Sequence, residues 1–330
     1  MARDRELRLG TRGSQLALWQ ANAVAARLAE QGAPPCRIVV IKTSGDRLQD
    51  QPLSDAGGKR LFVKEIEDAL QRDEIDLAVH SSKDLPVDLA DGLVVGAVLP
   101  REDPRDAVVL PLNARGSGLG ARGSKLETID DIVLALGAGP SIGTSSVRRV
   151  AQLSRLFAGA TFSPVRGNLE TRLRKLDEGH YDALVLAVAG LRRLGFHARV
   201  SLALSPSVCV PAPGQGIVAI EIRAGDEQVR QVVGGITDVM AGAALTAERA
   251  LVTALGGGCQ TPIGALASPL DRETIELVAV VAAPDGGESI HASGRAAAKE
   301  GAALGARVAR ELLAQGADRI LAACRLPTND

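Results

Sequence analysis

The stretch from Leu7 to Ile41, LRLGTRGSQLALWQANAVAARLAEQGAPPCRIVVI, contains a complete strand–helix–strand pattern. Its ends, 7–10 and 38–41, read as short apolar strands, and 15–31 reads as an amphipathic helix with Ser14 near its N-cap. The apolar face predicted for this helix consists of Leu16, Trp19, Ala23 and Ala26. Such a unit predicts an α/β fold with a mostly parallel sheet and ligands at the carboxyl ends of the strands.

The pattern repeats along the chain. We predict strands at 76–80, 93–98, 141–143, 161–165 and 183–188, and helices at 61–71, 147–157 and 169–178. Two segments rich in proline or glycine, 100–106 and 210–216, are predicted crossovers between two lobes, and the strand 217–222 is expected to return to the first lobe. The first crossover has two prolines and five charges in seven residues, which favours a solvent-exposed hinge over a core.

The predicted domains are a first lobe (1–103 with 217–235), a second lobe (104–216) and a small α+β domain (236–330). The last has one long helix, three short strands and a final helix. The insertion 113–125, NARGSGLGARGSK, is expected to be a mobile loop without a catalytic role.

Composition excludes several classes of function. A net charge of −1 with 2% aromatic residues argues against binding to single-stranded nucleic acid. Four cysteines and four histidines without metal-ligand spacing predict free thiols and no metal site. The longest apolar run, 183–191, is too short to span a bilayer, so we expect a cytoplasmic protein without membrane partners.

Basic and hydroxyl side chains recur in the segments that connect the end of a predicted strand to the start of the next helix. Backbone N–H groups and the helix dipole make such positions anion sites, and arginine suits carboxylates and phosphates. A single arginine there is more often on a solvated helix face, but the recurrence predicts a ligand with several acidic groups. The set comprises Arg12, Ser14, Thr144, Ser145, Arg148, Arg149, Arg166 and Asn168, joined by Arg172 and Arg193.

Two further positions can carry chemistry. Asp84, after Lys83 at the end of a strand, is either a general acid/base or a turn residue before Pro86. Cys259 follows three glycines, which fits either a reactive or covalently modified thiol or a small buried residue after a helix end.

Eight segments, in order along nearly the whole chain, resemble the porphobilinogen deaminase (hydroxymethylbilane synthase) family. They are TRGSQLALWQA (11–21), GGKRLFVKEIE (57–67), HSSKDLP (80–86), PREDPRDA (100–107), GTSSVRR (143–149), RGNLETRL (166–173), VPAPGQG (210–216) and GGGCQTPIG (256–264). The resemblance implies two periplasmic-binding-protein-like, doubly wound lobes and a small α+β C-terminal domain.

The resemblance also implies a monomeric transferase of haem biosynthesis. It would deaminate four porphobilinogen molecules and join them head to tail into 1-hydroxymethylbilane on a dipyrromethane cofactor. Cys259 matches the cysteine that holds this cofactor through a thioether, and Asp84 matches the catalytic aspartate, with Lys83 beside it. The positions expected to hold acidic side chains of the cofactor are Arg12, Ser14, Lys83, Thr144, Ser145, Arg148, Arg149, Arg166 and Arg172, and those for substrate are Arg12, Arg149, Arg166, Arg172, Arg193 and Gln215.

Two segments depart from the family pattern: Asp55 and Arg60 in the loop 55–60, and the insertion 113–125. Two other classes of protein remain open at this stage. A bilobal receptor for a small polyanion would explain the arginines but leaves Cys259 without a role. A cysteine hydrolase would need a histidine base, and His291, the only histidine of the third domain, has no supporting motif.

Overall fold

The computed structural model describes residues 5–47, 63–112, 126–258 and 261–324. The loop 55–60, the insertion 113–125 and Cys259, all subjects of predictions above, lie outside these ranges. In chain order the elements are β1 (Leu7–Thr11), α1 (Gln15–Glu30), β2 (Cys36–Val40), α2 (Ser44–Arg47), α3 (Lys64–Gln71), β3 (Leu77–Ser81), β4 (Leu93–Val98), β5 (Asp106–Val109), α4 (Ile129–Leu136), β6 (Ser141–Gly143), α5 (Val147–Leu153), β7 (Thr161–Ser163), α6 (Leu169–Asp177), β8 (Ala183–Ala187), α7 (Val188–Arg193), β9 (Leu202–Ala203), β10 (Val218–Arg223), α8 (Glu227–Gly234), α9 (Val239–Ala254), β11 (Ile263–Pro269), β12 (Thr274–Ala282), β13 (Ser289–Ala297), α10 (Gly301–Ala314) and α11 (Ala317–Ala323).

Two five-stranded sheets form the two α/β lobes, with strand orders β2-β1-β3-β10-β4 and β7-β6-β8-β5-β9. The predicted return of the chain to the first lobe is confirmed, because β10 pairs with both β3 and β4. The prediction of mostly parallel sheets is wrong. In each described sheet two strand pairs are parallel and two are antiparallel, since each return strand enters from the opposite end.

The first helix begins as predicted, with the Ser14 hydroxyl accepting a hydrogen bond from the Ala17 amide. Its buried face is different from the predicted one, however. Ala21, Val24 and Leu28 pack in the core of the first lobe, whereas Trp19 is 40% exposed. The sheet contacts the face offset from the predicted one, and the aromatic side chain is left facing away from that core.

The first crossover also differs from its prediction as a solvent-exposed hinge. Asp106, its last residue, begins β5 and is fully buried. Arg101 forms a two-pronged ion pair with the buried Glu248 of α9, at 2.6 and 3.1 Å. Glu248 also accepts from the Gly214 amide of the second crossover at 2.6 Å. One carboxylate therefore connects both crossovers to the third domain.

The third domain is an antiparallel sheet, β11-β12-β13, covered by α9 and α10. The predicted order of one long helix, three strands and a helix is confirmed as far as α10, and a second short helix that was not predicted, α11, follows it. The first of these helices begins at Val239, where the Asp238 carboxylate caps it through the Ala241 amide. Within the described ranges, no helix is both long and apolar enough to cross a membrane.

Candidate active site

The pair Lys83–Asp84 lies at the carboxyl end of β3, in a single 3-10 turn formed by Ser82–Asp84. The second crossover fixes this turn, because the Ser82 amide donates to the Ile217 carbonyl at 3.0 Å. Gly214 has a φ of +74°, and a Cβ there would lie 2.6 Å from the Ser82 hydroxyl. Glycine is thus required for the crossover to approach the turn so closely.

Lys83 is half-buried, and its ammonium lies 3.4 Å from the Gln215 side-chain oxygen. Burial lowers the pKa of Lys83 to about 8, Asp84 opposes this shift, and the Arg148 and Arg149 guanidiniums add to it. Burial thus disfavours the charged form of Lys83, and any further anion bound nearby would favour that form.

The Asp84 side chain is exposed, and no described residue donates a hydrogen bond to its carboxylate. Its negative charge nevertheless acts on both lobes, because it favours the protonated forms of Lys83 and Arg172. A carboxylate with this open hydrogen-bonding capacity can accept N–H groups from a bound molecule.

In the second lobe, Arg148 and Arg149 lie in the first turn of α5, which Ser146 caps. Both are buried, at 4% and 7% exposure. Each forms an ion pair of 2.7 Å with Asp106. Arg148 also donates to the Val210 carbonyl and Arg149 to the Val185 carbonyl, both at 2.7 Å. The chain thus supplies an internal carboxylate to the two arginines.

Asp106 is the residue that the sequence interpretation missed. Burial alone would raise its pKa, but the Arg148 and Arg149 guanidiniums lower the pKa far below its ordinary value. Its buried neighbour Cys209 responds in the opposite direction, since burial and the Asp106 charge raise the thiol pKa to about 12. The sequence does contain a signal for this residue, because Asp106 directly precedes the apolar run 107–110. An acid in this position lies at the first residue of a buried strand.

Gln215 connects this cluster to Lys83. Its side-chain amide donates to Asp106 at 2.9 Å and to the Pro104 carbonyl at 2.6 Å, while its oxygen faces the Lys83 ammonium. The residue is 1% exposed. Gln215 thus links the Lys83 turn of one lobe to the buried ion pairs of the other.

Arg166 and Arg172 lie at the start of α6, which the Asn168 side chain caps as predicted. Arg172 donates through Nε to the Gly167 carbonyl at 2.9 Å. No acceptor among the described residues bonds its two terminal nitrogens. Burial, and then the nearby Arg149 charge, lower the pKa of Arg172. The side chain therefore has N–H donors that no described residue uses, and a bound anion would favour its charged form.

The remaining predicted residues lie at other strand ends. Arg12, half-buried, directly follows β1, and Ser14 uses its hydroxyl as the cap of α1. Thr144 is buried after β6, and the exposed Ser145 donates to the Val165 carbonyl at 3.0 Å. Arg193 ends α7 and donates to the Gly216 carbonyl at 2.6 Å.

A cavity lies where the two lobes and the third domain meet. Its lining includes Lys83, Ser146, Arg148, Gly258 and Thr261. Two buried groups of this lining, the Arg148 Nε and the Ser82 hydroxyl, have no hydrogen-bond partner among the described residues. Unsatisfied buried donors favour an acidic group in the cavity. The lining therefore fits a carboxylate-bearing cofactor, and Gly258 directly precedes Cys259.

Comparison with known proteins agrees with this geometry. Residues 7–231 match the family model described as porphobilinogen deaminase, dipyromethane cofactor binding domain, and residues 243–314 match that of the porphobilinogen deaminase C-terminal domain. A porphobilinogen deaminase from Syntrophobacter fumaroxidans is 44% identical over 320 residues, which cover 96% of this chain and 97% of the relative.

Similar solved structures include an ancestral amino-acid-binding protein, a precursor of cyclohexadienyl dehydratase. It is 14% identical, with a TM-score of 0.35, and the match covers 70% of this chain and 87% of that one. An amino-acid transporter substrate-binding protein from Streptococcus pneumoniae is 9% identical, with a TM-score of 0.36 and coverage of 70% and 86%. These likenesses are distant.

Two domain matches and a close full-length relative thus agree with a cavity suited to a cofactor rich in carboxylates. The chain therefore belongs to the porphobilinogen deaminase family, the transferases that deaminate porphobilinogen and join four molecules into 1-hydroxymethylbilane on a dipyrromethane cofactor.

Proposed function

We propose that Asp84 is the catalytic carboxylate of this reaction, with Lys83 beside it, and that Cys259 holds the dipyrromethane through a thioether. The observation that carries the proposal is the open Asp84 carboxylate, which no described residue bonds. It lies next to Lys83, which lines the cavity together with Gly258, the residue directly before Cys259. The bound dipyrromethane would supply the pyrrole carbon to which the first substrate unit is joined, and each later unit would be joined to the one before it.

Asp84 has two tasks in this proposal. Its carboxylate accepts pyrrole N–H groups, and its negative charge stabilises the positive charge that develops as porphobilinogen loses its amine. Lys83, which lines the cavity beside Asp84, supplies a positive charge that binds a carboxylate of the incoming molecule. The exposed position of Asp84 leaves room for a substrate at the open side of the turn.

The basic residues divide into two proposed groups. Arg12, Ser14, Thr144, Ser145, Arg148, Arg149, Arg166 and Arg172 hold carboxylates of the cofactor, and Arg12, Arg149, Arg166, Arg172, Arg193 and Gln215 receive those of the substrate. Among these, Arg172 has the clearest support, since two of its nitrogens lack an internal acceptor. Arg149 and Gln215 contribute through charge and position, because their own hydrogen bonds go mainly to Asp106 and backbone carbonyls.

The finer assignments follow the same reasoning. We propose a cytoplasmic monomer whose partner is the small acidic substrate, without nucleic acid or membrane. Low aromatic content and near-neutral charge support the proposal that nucleic acid is not a partner. The domain boundaries 1–103 with 217–235, 104–216 and 236–330 belong to the same proposal, and the sheet to which each strand belongs supports them.

The test compares Asp84→Asn with Asp91→Asn, another exposed acid seven residues further along. Asp84→Asn keeps the shape but removes the charge, so turnover should fall about 100- to 10,000-fold. Asp91→Asn should match the unmodified enzyme. Intact mass must show that both variants carry a dipyrrole and that Cys259→Ser does not. Turnover of Asp84→Asn within tenfold of the unmodified enzyme would move the catalytic role elsewhere.

A further inference from the structure

The two lobes contact each other at a second place besides the crossovers. Helix α1 of the first lobe lies against α7 of the second. A methyl group on Gly190 would be 3.8 Å from the Leu16 side chain, and Gln15 donates to Glu170 of α6 at 3.2 Å. Leu16 and Trp19, two of the four residues that the sequence assigned to the core-facing side, are thus turned toward the other lobe, whereas Ala23 packs against the core of the first lobe.

Trp19 is the only tryptophan of the chain. Its indole ring stacks with Arg193, whose guanidinium carbon is 5.5 Å from the ring centroid. This distance is within the range of a cation–π interaction, for which tryptophan is the best aromatic partner. The contact joins an aromatic residue of the first lobe to a proposed substrate-binding arginine of the second.

Arg193 is held on one side and open on another. One terminal nitrogen, Nη2, donates to the Gly216 carbonyl, and the indole covers one face of the guanidinium. No described residue accepts a hydrogen bond from Nε or Nη1. Two contacts therefore fix the direction of the guanidinium while N–H donors remain available for an external carboxylate.

We propose that Trp19 is a positioning residue, which orients Arg193 across the gap between the lobes so that its remaining donors bind a substrate carboxylate. The inference rests on the proposed role of Arg193 in substrate binding. In this arrangement the first lobe determines the geometry of a binding group on the second. A change in the distance between the lobes would therefore change the affinity for porphobilinogen.

The test uses the cofactor-loaded enzyme and the variants Trp19→Leu, Trp19→Phe and Arg193→Gln. Loss of the ring face should raise KM for porphobilinogen about 2- to 30-fold, the range of cation–π strengths. Because the lost interaction is made with bound substrate before and during reaction, kcat should stay within about twofold. Trp19→Phe should recover most of the affinity, since a phenyl ring keeps an aromatic face. Leu134→Ala, which truncates an 84% exposed leucine on α4, should leave KM unchanged.

A double variant separates positioning from packing. If Trp19 acts through Arg193, adding Trp19→Leu to Arg193→Gln should not raise KM further, whereas independent effects would add. Because the protein has one tryptophan, acrylamide quenching reports on the same contact without activity. Quenching should increase in Arg193→Gln, where the guanidinium no longer covers the ring.

The KM values of the single variants distinguish a wrong role for Arg193 from a wrong role for Trp19. An unchanged KM in Arg193→Gln would refute the proposed role of Arg193, and the inference with it. A raised KM in Arg193→Gln with an unchanged KM in Trp19→Leu would refute the role of Trp19 alone. Additive effects in the double variant would also overturn it, because Trp19 would then act through packing.

Discussion

The arginines of α5 and those of α6 and α7 belong to the same lobe and follow similar strand ends, but their charges are used differently. Arg148 and Arg149 are buried against Asp106, so most of their hydrogen bonds stay within the protein. Arg172 and Arg193 each donate one hydrogen bond to a backbone carbonyl and have further donors without an acceptor among the described residues. A count of arginines therefore overstates the charge available to a ligand, since an internal carboxylate decides which of them are open.

We call Asp106 with Arg148 and Arg149 the closed cluster. The comparison predicts that loss of its ion pairs lowers the stability of the protein. Asp106→Asn would leave two buried guanidiniums without their counter-charge, so the free energy of unfolding should fall by about 3–5 kcal/mol. Urea unfolding of the cofactor-loaded protein measures this change.

Asp103→Asn is the matched control, three residues earlier in the chain. Asp103 pairs with Arg105 and Arg192, whose side chains are 39% and 46% exposed and can return to water. Its loss should cost about 1 kcal/mol or less. Equal effects of the two substitutions would show that burial of both arginines adds nothing to the importance of Asp106, because the Asp103 carboxylate is itself only 9% exposed.

Substitution of the open arginines, Arg172 and Arg193, should have the reverse effect. It should reduce activity strongly and change stability little. Arg172→Lys keeps the charge but loses the planar fork, so kcat/KM should fall about 10- to 100-fold, as expected for a charge-assisted hydrogen bond. Stability should change by at most about 1 kcal/mol, because only the bond to the Gly167 carbonyl is lost.

The control for this substitution is Arg174→Lys on the same helix. Arg174 is 64% exposed and pairs with Glu178 one turn away. It should retain full activity. A similar loss of activity in both variants would assign the effect to α6 as a whole and not to the open donors of Arg172.

Much of the fold was predictable because apolar strands and capped helices are local signals. Ser14 and Asn168 cap their helices as predicted, and the return of β10 follows from the second crossover. The pairing of Asp106 with the α5 arginines was not predictable from spacing, since it joins positions 43 residues apart through a tertiary contact. The face of α1 was also predicted incorrectly, because apolar periodicity cannot tell a core from a neighbouring lobe.

The candidate site divides along the same line. Local sequence alone predicted that Lys83, Asp84, Arg172 and Arg193 lie near the ends of strands, where ligands bind. Whether an arginine there is open or closed depends on acids contributed by distant segments, such as Asp106, which pairs with Arg148 and Arg149. Local patterns therefore identify the candidates, and tertiary charge pairing assigns their roles.

The smallest expected effect concerns Lys83, which belongs to the open region but touches the closed one through Gln215. Burial lowers the pKa of Lys83 from 10.5 to about 8 in the folded protein. Between these two pH values the unfolded chain binds more protons than the folded protein, so stability rises with pH across this window.

Comparing Cys259→Ser with Cys259→Ser/Lys83→Met isolates this contribution, because the other titrating groups are shared. From pH 8 to pH 10 the single variant should gain stability over the double variant by on the order of 1 kcal/mol, after allowance for solvent screening. In the loaded enzyme the same difference should shrink, since cofactor carboxylates near Lys83 would raise its pKa back toward the ordinary value. A pH-independent difference between the Cys259→Ser variants would contradict the lowered pKa. An equal slope with and without the cofactor would instead show that the bound cofactor does not change the protonation of Lys83.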